Sequence, residues 1–310
     1  MGANLLHYRP WRDRLQASEW SPWPVARTAL GMLFRRKLFW VLYGLSLLFF
    51  FMFFFGQYLL AWTESQAAGE TIAVAPGVKV KPDNIIVPLR RGLKLDGTDQ
   101  NYRNFFRFQS SMVVVLLAMA GSILVGNDFQ FGSLPFYLSK PLSPWHYLLG
   151  KCLAVAVIIN LMSTLPAIVL FFQYGLLTSW SYFEENLYLL AGIVGYGLVL
   201  TICLSLVLVA TASWLRRTVP IIMTWTTLFI FCRFLAASLV HGLHYSPRWW
   251  LIDLWDDISL VGQWCLGVPA ENLRPSPSPE VYEAALVLGA VCILCLTYFS
   301  LRIRAVEVVR

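Results

Sequence analysis

Six long apolar runs organise this chain: residues 38–62, 108–126, 152–177, 187–212, 219–241 and 281–301. Each holds about 20 residues or more, the length of helix that covers the hydrocarbon thickness of a bilayer. A membrane β-strand crosses in about 10 residues and alternates in polarity, and none of the six runs alternates. The pattern predicts an all-α polytopic membrane protein with six transmembrane helices. An even number of spans places both termini on one side.

The polar breaks predict the accessory elements. Ahead of the first run, SPWPVARTALGMLFRRK opens with Ser21 as an N-cap and Pro22 at the first helical position. Trp23, Ala26, Leu30, Leu33 and Phe34 recur at helical spacing beside Arg27, Arg35 and Arg36, which predicts an N-terminal interfacial helix. The 63–104 connection contains the β-prone pieces TIAV, VKV and NIIV between Pro and Gly, the signature of a small cap or a loose loop. Between runs five and six, PRWWLIDLWDDISL puts Trp250, Leu251, Leu254, Trp255 and Ile258 on one helical face. Asp253, Asp256 and Asp257 fall opposite, as a solvated acidic face. This reads as an outer amphipathic or re-entrant helix anchored by tryptophan. The whole chain, 1–310, is expected to form one membrane domain. Its parts are a tail and interfacial helix over 1–37, an extracytoplasmic loop over 63–104, a cytoplasmic connection over 127–151 and an outer loop over 242–280.

Composition agrees with this class. Hydrophobic residues make up 58% of the chain and charged residues 13%, too apolar for one soluble globule to conceal. The net charge of +7 is spread over span flanks, with no dense basic patch of the kind that binds nucleic acid. Arg35, Arg36 and Lys37 precede span one, Lys140 and Lys151 precede span three, Arg216 and Arg217 precede span five, and Arg302 and Arg304 follow span six. The positive-inside rule makes these cytoplasmic together and predicts both termini inside the cytoplasmic membrane. The basic residues of 63–104 run against that rule, which long connections obey less strictly. MGANLLHYRPWRDRL lacks the apolar core of a signal peptide, so the first span is expected to insert and stay. Five of the six cysteines fall in or beside apolar runs, and Cys292 and Cys295 read as packing residues rather than a redox pair.

The connection after run two, GNDFQFGSLPFYLSKPLSPWHYLLGK, is the most informative stretch. Asn127 and Asp128 are expected to stop span two, and Gly132 and Pro135 to prevent one continuous helix. A short helix around Leu134–Leu138 would display Phe129, Phe131, Phe136 and Tyr137, and Ser143 with Pro144 would start the next helix. Rings on a short rigid helix between two spans suit the groove of a partner protein.

The order Asp128, Gly132, Ser133, Leu134, then Leu138, Ser139, Lys140, Pro141, then Tyr147, Leu149, Gly150, Lys151 resembles the signature of ABC-2 type transporter permeases. The six-span plan, the basic interfacial helix and the outer helix before span six are similar to that family too. The likeness covers most of the chain in layout and about one tenth of it in specific residues. Pro135, the ring-rich FQF and the long 63–104 connection depart from a minimal permease. The resemblance implies that 128–139 is a cytoplasmic coupling helix docking on a separate ATPase subunit. It puts Asp128, Phe129, Phe131, Gly132, Leu134, Pro135, Phe136, Tyr137 and Lys140 at that contact. It also implies a second permease chain, identical or not, and export as the direction.

The chain holds no G-x-x-x-x-G-K-[ST] phosphate-binding loop, so ATP and Mg are expected on the partner subunit, with no cofactor or catalytic residue here. Membrane lipids are the remaining expected partners. Arg233, inside span five, has three readings: a site for an anionic group of the cargo, a pair with an outer acid such as Asp253, or a side chain snorkelling to the interface. A membrane enzyme using His241, His244, Asp253, Asp256 and Asp257 as a metal site, and a non-transporting membrane anchor, are the competing functions.

Overall fold

The computed structural model describes residues 22–65, 72–75, 78–80, 94–131, 144–268 and 279–302. Among the described residues six helices are long and apolar enough to cross a membrane: Lys37–Glu64, Asp99–Gln130, Trp145–Thr178, Leu187–Leu215, Thr218–Gly242 and Val281–Leu301. They are called spans one to six below. The chain is thus a multi-pass, predominantly helical membrane protein. The short strands β1 (Ile72–Ala75) and β2 (Val78–Val80) pair antiparallel, with Ile72 opposite Val80. They realise the TIAV and VKV pieces of the sequence and are a small departure from an all-α fold. NIIV lies outside the described residues.

Spans two, three and four form the middle of the bundle, each with 56% of its most apolar window buried, against 17–22% for spans one, five and six. Span four packs on span three, on span six and on the helix Leu254–Cys265. The interior is joined by rings and by a few polar contacts. Phe106 stacks on Tyr196 at 4.2 Å between centroids, and Phe53 meets Phe105 edge-on. Ser46 Oγ donates to Gln109 Oε1 at 2.7 Å, and Gln109 Nε2 donates back to the Ser46 carbonyl at 3.1 Å, fastening span one to span two. Gln173 Nε2 donates to the Phe54 carbonyl at 2.8 Å and does the same for spans three and one. Each bond satisfies a polar group where no water competes for it.

Two spans start earlier than their apolar runs. Span two begins at Asp99, in a first turn whose acid suits the helix dipole, and the extension buries Asn101, Tyr102, Phe105 and Phe106 against protein. Span three begins near Pro144, as the Ser143-Pro144 signal predicts.

The N-terminal helix, Pro22–Phe34, buries Val25, Ala26, Ala29, Leu30 and Leu33. Its face is therefore rotated from the one the spacing predicts: Trp23 and Phe34 are exposed. The cause is the partner surface. The helix packs on the start of span three, where a Cβ on Gly150 would come within 2.7 Å of Val25 Cβ and 2.8 Å of the Pro22 carbonyl oxygen. Only glycine permits that approach.

Candidate functional site

One end of the bundle gathers the N-terminal helix, the end of span two, the start of span three, the end of span four and the start of span five. Span two opens into a π-helical turn at Ser122–Gly126 before a last α-turn at Asn127–Gln130. Such turns disturb the regular carbonyl ladder and are frequent at functional sites. Lys151 Nζ, one helical turn into span three past Tyr147, donates to the Leu124 carbonyl at 2.6 Å. The same ammonium lies 2.6 Å from Asp128 Oδ2. Tyr147 OH donates to that oxygen at 2.8 Å, and its ring is stacked on Phe299 of span six.

Lys151 is 1% exposed and Asp128 6%. Charges so deeply buried are tolerated only when paired and hydrogen-bonded, and here one carboxylate takes both donors while the second ammonium contact closes on backbone. Alongside, Ser122 Oγ and Thr218 Oγ1 are 2.6 Å apart, joining span two to span five. Arg216 ends span four in the left-handed conformation, φ 57°. A Cβ on Gly126 would come within 2.7 Å of the Arg216 carbonyl oxygen, so span two runs directly beneath that cap.

This arrangement corrects two readings of the sequence. Asp128 does not stop span two, which continues to Gln130, and Lys151 lies inside span three rather than before it. Both charges are interior, and they join the end of span two to the start of span three. Phe129 is half-buried against the core, whereas Phe131 is 71% exposed at the last described position of span two's end. Gly132, Leu134, Pro135, Phe136, Tyr137 and Lys140 lie outside the described residues. Sequence reasoning missed the pairing and the part of Tyr147. The available signal was two opposite charges of one motif, each against an apolar run.

Among the described residues this end carries Arg27, Arg35, Arg36, Lys37, Arg216 and Arg217, and Asp128 as its acid. The opposite end holds Glu64, Asp96, Asp99, Glu184, Glu185, Glu280 and Glu283 with the Asp253–Asp257 stretch, and fewer basic residues, Lys94, Arg103, Arg107 and Arg248.

At that opposite end the predicted amphipathic helix is two elements. A 3₁₀ turn spans Pro247–Ile252; Asp253 then caps Leu254–Cys265, its Oδ1 accepting from Trp255 N at 3.1 Å. The acidic face is not solvated, since Asp253 and Asp257 are both fully buried. Burial, aided by the charge of Asp253, pushes the Asp257 carboxyl up to about 8. His241 meets the Trp250 ring edge-on at 5.4 Å. Among the described residues no three His, Cys, Asp or Glu side chains are grouped to hold a metal ion. Arg233 is exposed and forms no ion pair among the described residues, so the pair with Asp253 is not made.

No protein-family model matches the chain, and no curated protein matches it either.

Proposed function

We propose that the chain is the membrane-spanning permease subunit of an ABC-2 type ABC transporter, an exporter of the cytoplasmic membrane. ATP and Mg are handled by a separate nucleotide-binding subunit, and a second permease chain completes the pathway. The observation that carries this reading is the buried Asp128–Lys151–Tyr147 cluster, which ties both ends of the 132–143 connection into the bundle. A push on a flexibly hung loop is lost in the loop. A push on a connection braced by an interior ion pair moves spans two and three together, and through Ser122–Thr218 and Gly126–Arg216 it reaches spans five and four. The chemistry of hydrolysis belongs to the partner, since the sequence lacks a phosphate-binding loop.

The charge sorting supports the same orientation. A basic end with Arg27, Arg35, Arg36, Lys37, Arg216 and Arg217 is the cytoplasmic end by the positive-inside rule, and the ATPase is a cytoplasmic protein. Asp128, being buried, acts by placing the connection; Phe131, exposed beside it, is the contact. Phe131→Asp is therefore expected to lower ATPase capture roughly tenfold or more, the loss typical of a central aromatic anchor. Membrane yield and elution volume should stay at wild-type values. Equal capture by the variant and the wild type, measured as bound ATPase per permease, places the contact elsewhere.

A further inference from the structure

Spans one and six are as poorly buried as span five, but their exposed faces are suited to lipid tails. Span one presents Leu45, Leu48, Phe51 and Phe55, and span six presents Leu286, Ile293 and Leu294. The exposed hydroxyls of span six, Thr297 and Ser300, bond to carbonyls of their own helix. Span five differs. Its buried side is Ile221, Trp225, Phe229, Ala236 and Val240, and its open side carries Thr226, Arg233, Ser238 and His241 among apolar residues, beside Thr227, whose hydroxyl bonds to the Met223 carbonyl of its own helix.

Arg233 lies nine residues before Gly242, about 13 Å along the axis at the rise of an α-helix, within a bilayer core about 30 Å thick. An outward-facing guanidinium at that depth is costly in hydrocarbon alone, and such residues mark ligand paths. Its short α-segment, Cys232–Ala237, is flanked by π-helical turns at Thr227–Phe231 and Ser238–Gly242, the distortion that recurs at binding sites. Beside it Ile230, Phe231 and Phe234 are 52–68% exposed. One fixed cation surrounded by apolar rings and aliphatic groups complements a molecule with one anionic head and an apolar body.

We infer that the open side of span five binds a phosphate-headed lipid of net negative charge, with its headgroup on Arg233 and its tails along Ile230, Phe231 and Phe234. The polar positions from Thr226 to His241 form a track along which that headgroup passes while the tails stay in the bilayer. The class of cargo is then an anionic lipid. This rests on the permease reading, but the binding step is measurable without any ATPase.

The test uses the purified full chain in nanodiscs containing either phosphatidylglycerol or phosphatidylcholine with the same photoactivatable acyl chain. Crosslinks are then mapped by peptide mass spectrometry. Phosphatidylglycerol should label the 226–241 stretch roughly fivefold more than phosphatidylcholine, the effect of one basic side chain beside an anionic headgroup. The preference should vanish in Arg233→Gln, persist in Arg233→Lys and be untouched in Arg107→Gln, whose charge lies at the edge of span two. Equal labelling of the wild type by the two lipids, or an undiminished preference in Arg233→Gln, overturns the inference. So does a wild-type dimer that Arg233→Gln splits into monomers, because Arg233 then faces a second copy. ATPase capture by Arg233→Gln, expected at the wild-type level, reports on the permease reading separately.

Discussion

Asp257 sits fully buried near the start of the 254–265 helix, and neither of its carboxylate oxygens accepts a hydrogen bond among the described residues. Burial first, and the neighbouring Asp253 second, raise it from the ordinary 3.8 to about 8. The folded protein therefore holds a proton that the unfolded chain releases above pH 4 or so. By linkage this group's stabilisation is full below that value, declines as pH rises and is gone above about 8. Thermal unfolding of the purified protein, followed by tryptophan fluorescence from pH 5 to pH 8, should show falling stability. Asp257→Asn, with the same shape and no charge, should flatten that slope and be the more stable protein at pH 8, by on the order of a few kcal/mol. A variant with the wild-type slope would sink this assignment. The sequence alone led to the opposite expectation, a solvated acid, because an acid beside an apolar stripe is ordinarily left to water, whereas the packing of span four and span six on this helix closes over Asp257. The chain breaks after the 3₁₀ turn at Pro247–Ile252: Asp253 turns back to cap the new helix, and Asp257, one turn later, shares the buried side with Leu254 and Ile258.

The joint between spans two and three rests on Asp128 and Lys151, and its worth shows when one partner is removed. Lys151→Ala leaves a carboxylate in a closed interior and should cost about 3–5 kcal/mol in detergent unfolding. Asp128→Asn combined with Lys151→Met removes both charges while keeping an acceptor for Tyr147, and should recover most of that loss. A double variant as unstable as the single one contradicts the pairing. A double variant that folds well yet captures less ATPase is what a bracing role predicts. The spans themselves were legible, because long apolar runs have few alternatives; four of the six begin and end within about three residues of their runs. The early start of span two was not, because polar Asn101 and the ring of Tyr102 are buried by protein rather than by lipid, and hydropathy reads lipid. The inward face of the N-terminal helix was likewise fixed by Gly150, distant in sequence and close in space.

For the whole molecule, the described acids other than Asp128 gather at one end, spans two to four are the most buried, and spans one, five and six face outward. In the proposed reading those outward flanks would meet lipid and a second chain, and the basic end an ATPase. The functional reading still begins with the short motif around Asp128 and Lys151, whose charges the fold unites at 2.6 Å. The measurement that bears most directly on it is the stoichiometry of what accompanies the tagged protein. It should be purified in mild detergent from its native host, with ATP hydrolysis blocked. The account predicts a phosphate-binding-loop ATPase at one copy per permease chain. An intact chain recovered with no such ATPase contradicts it.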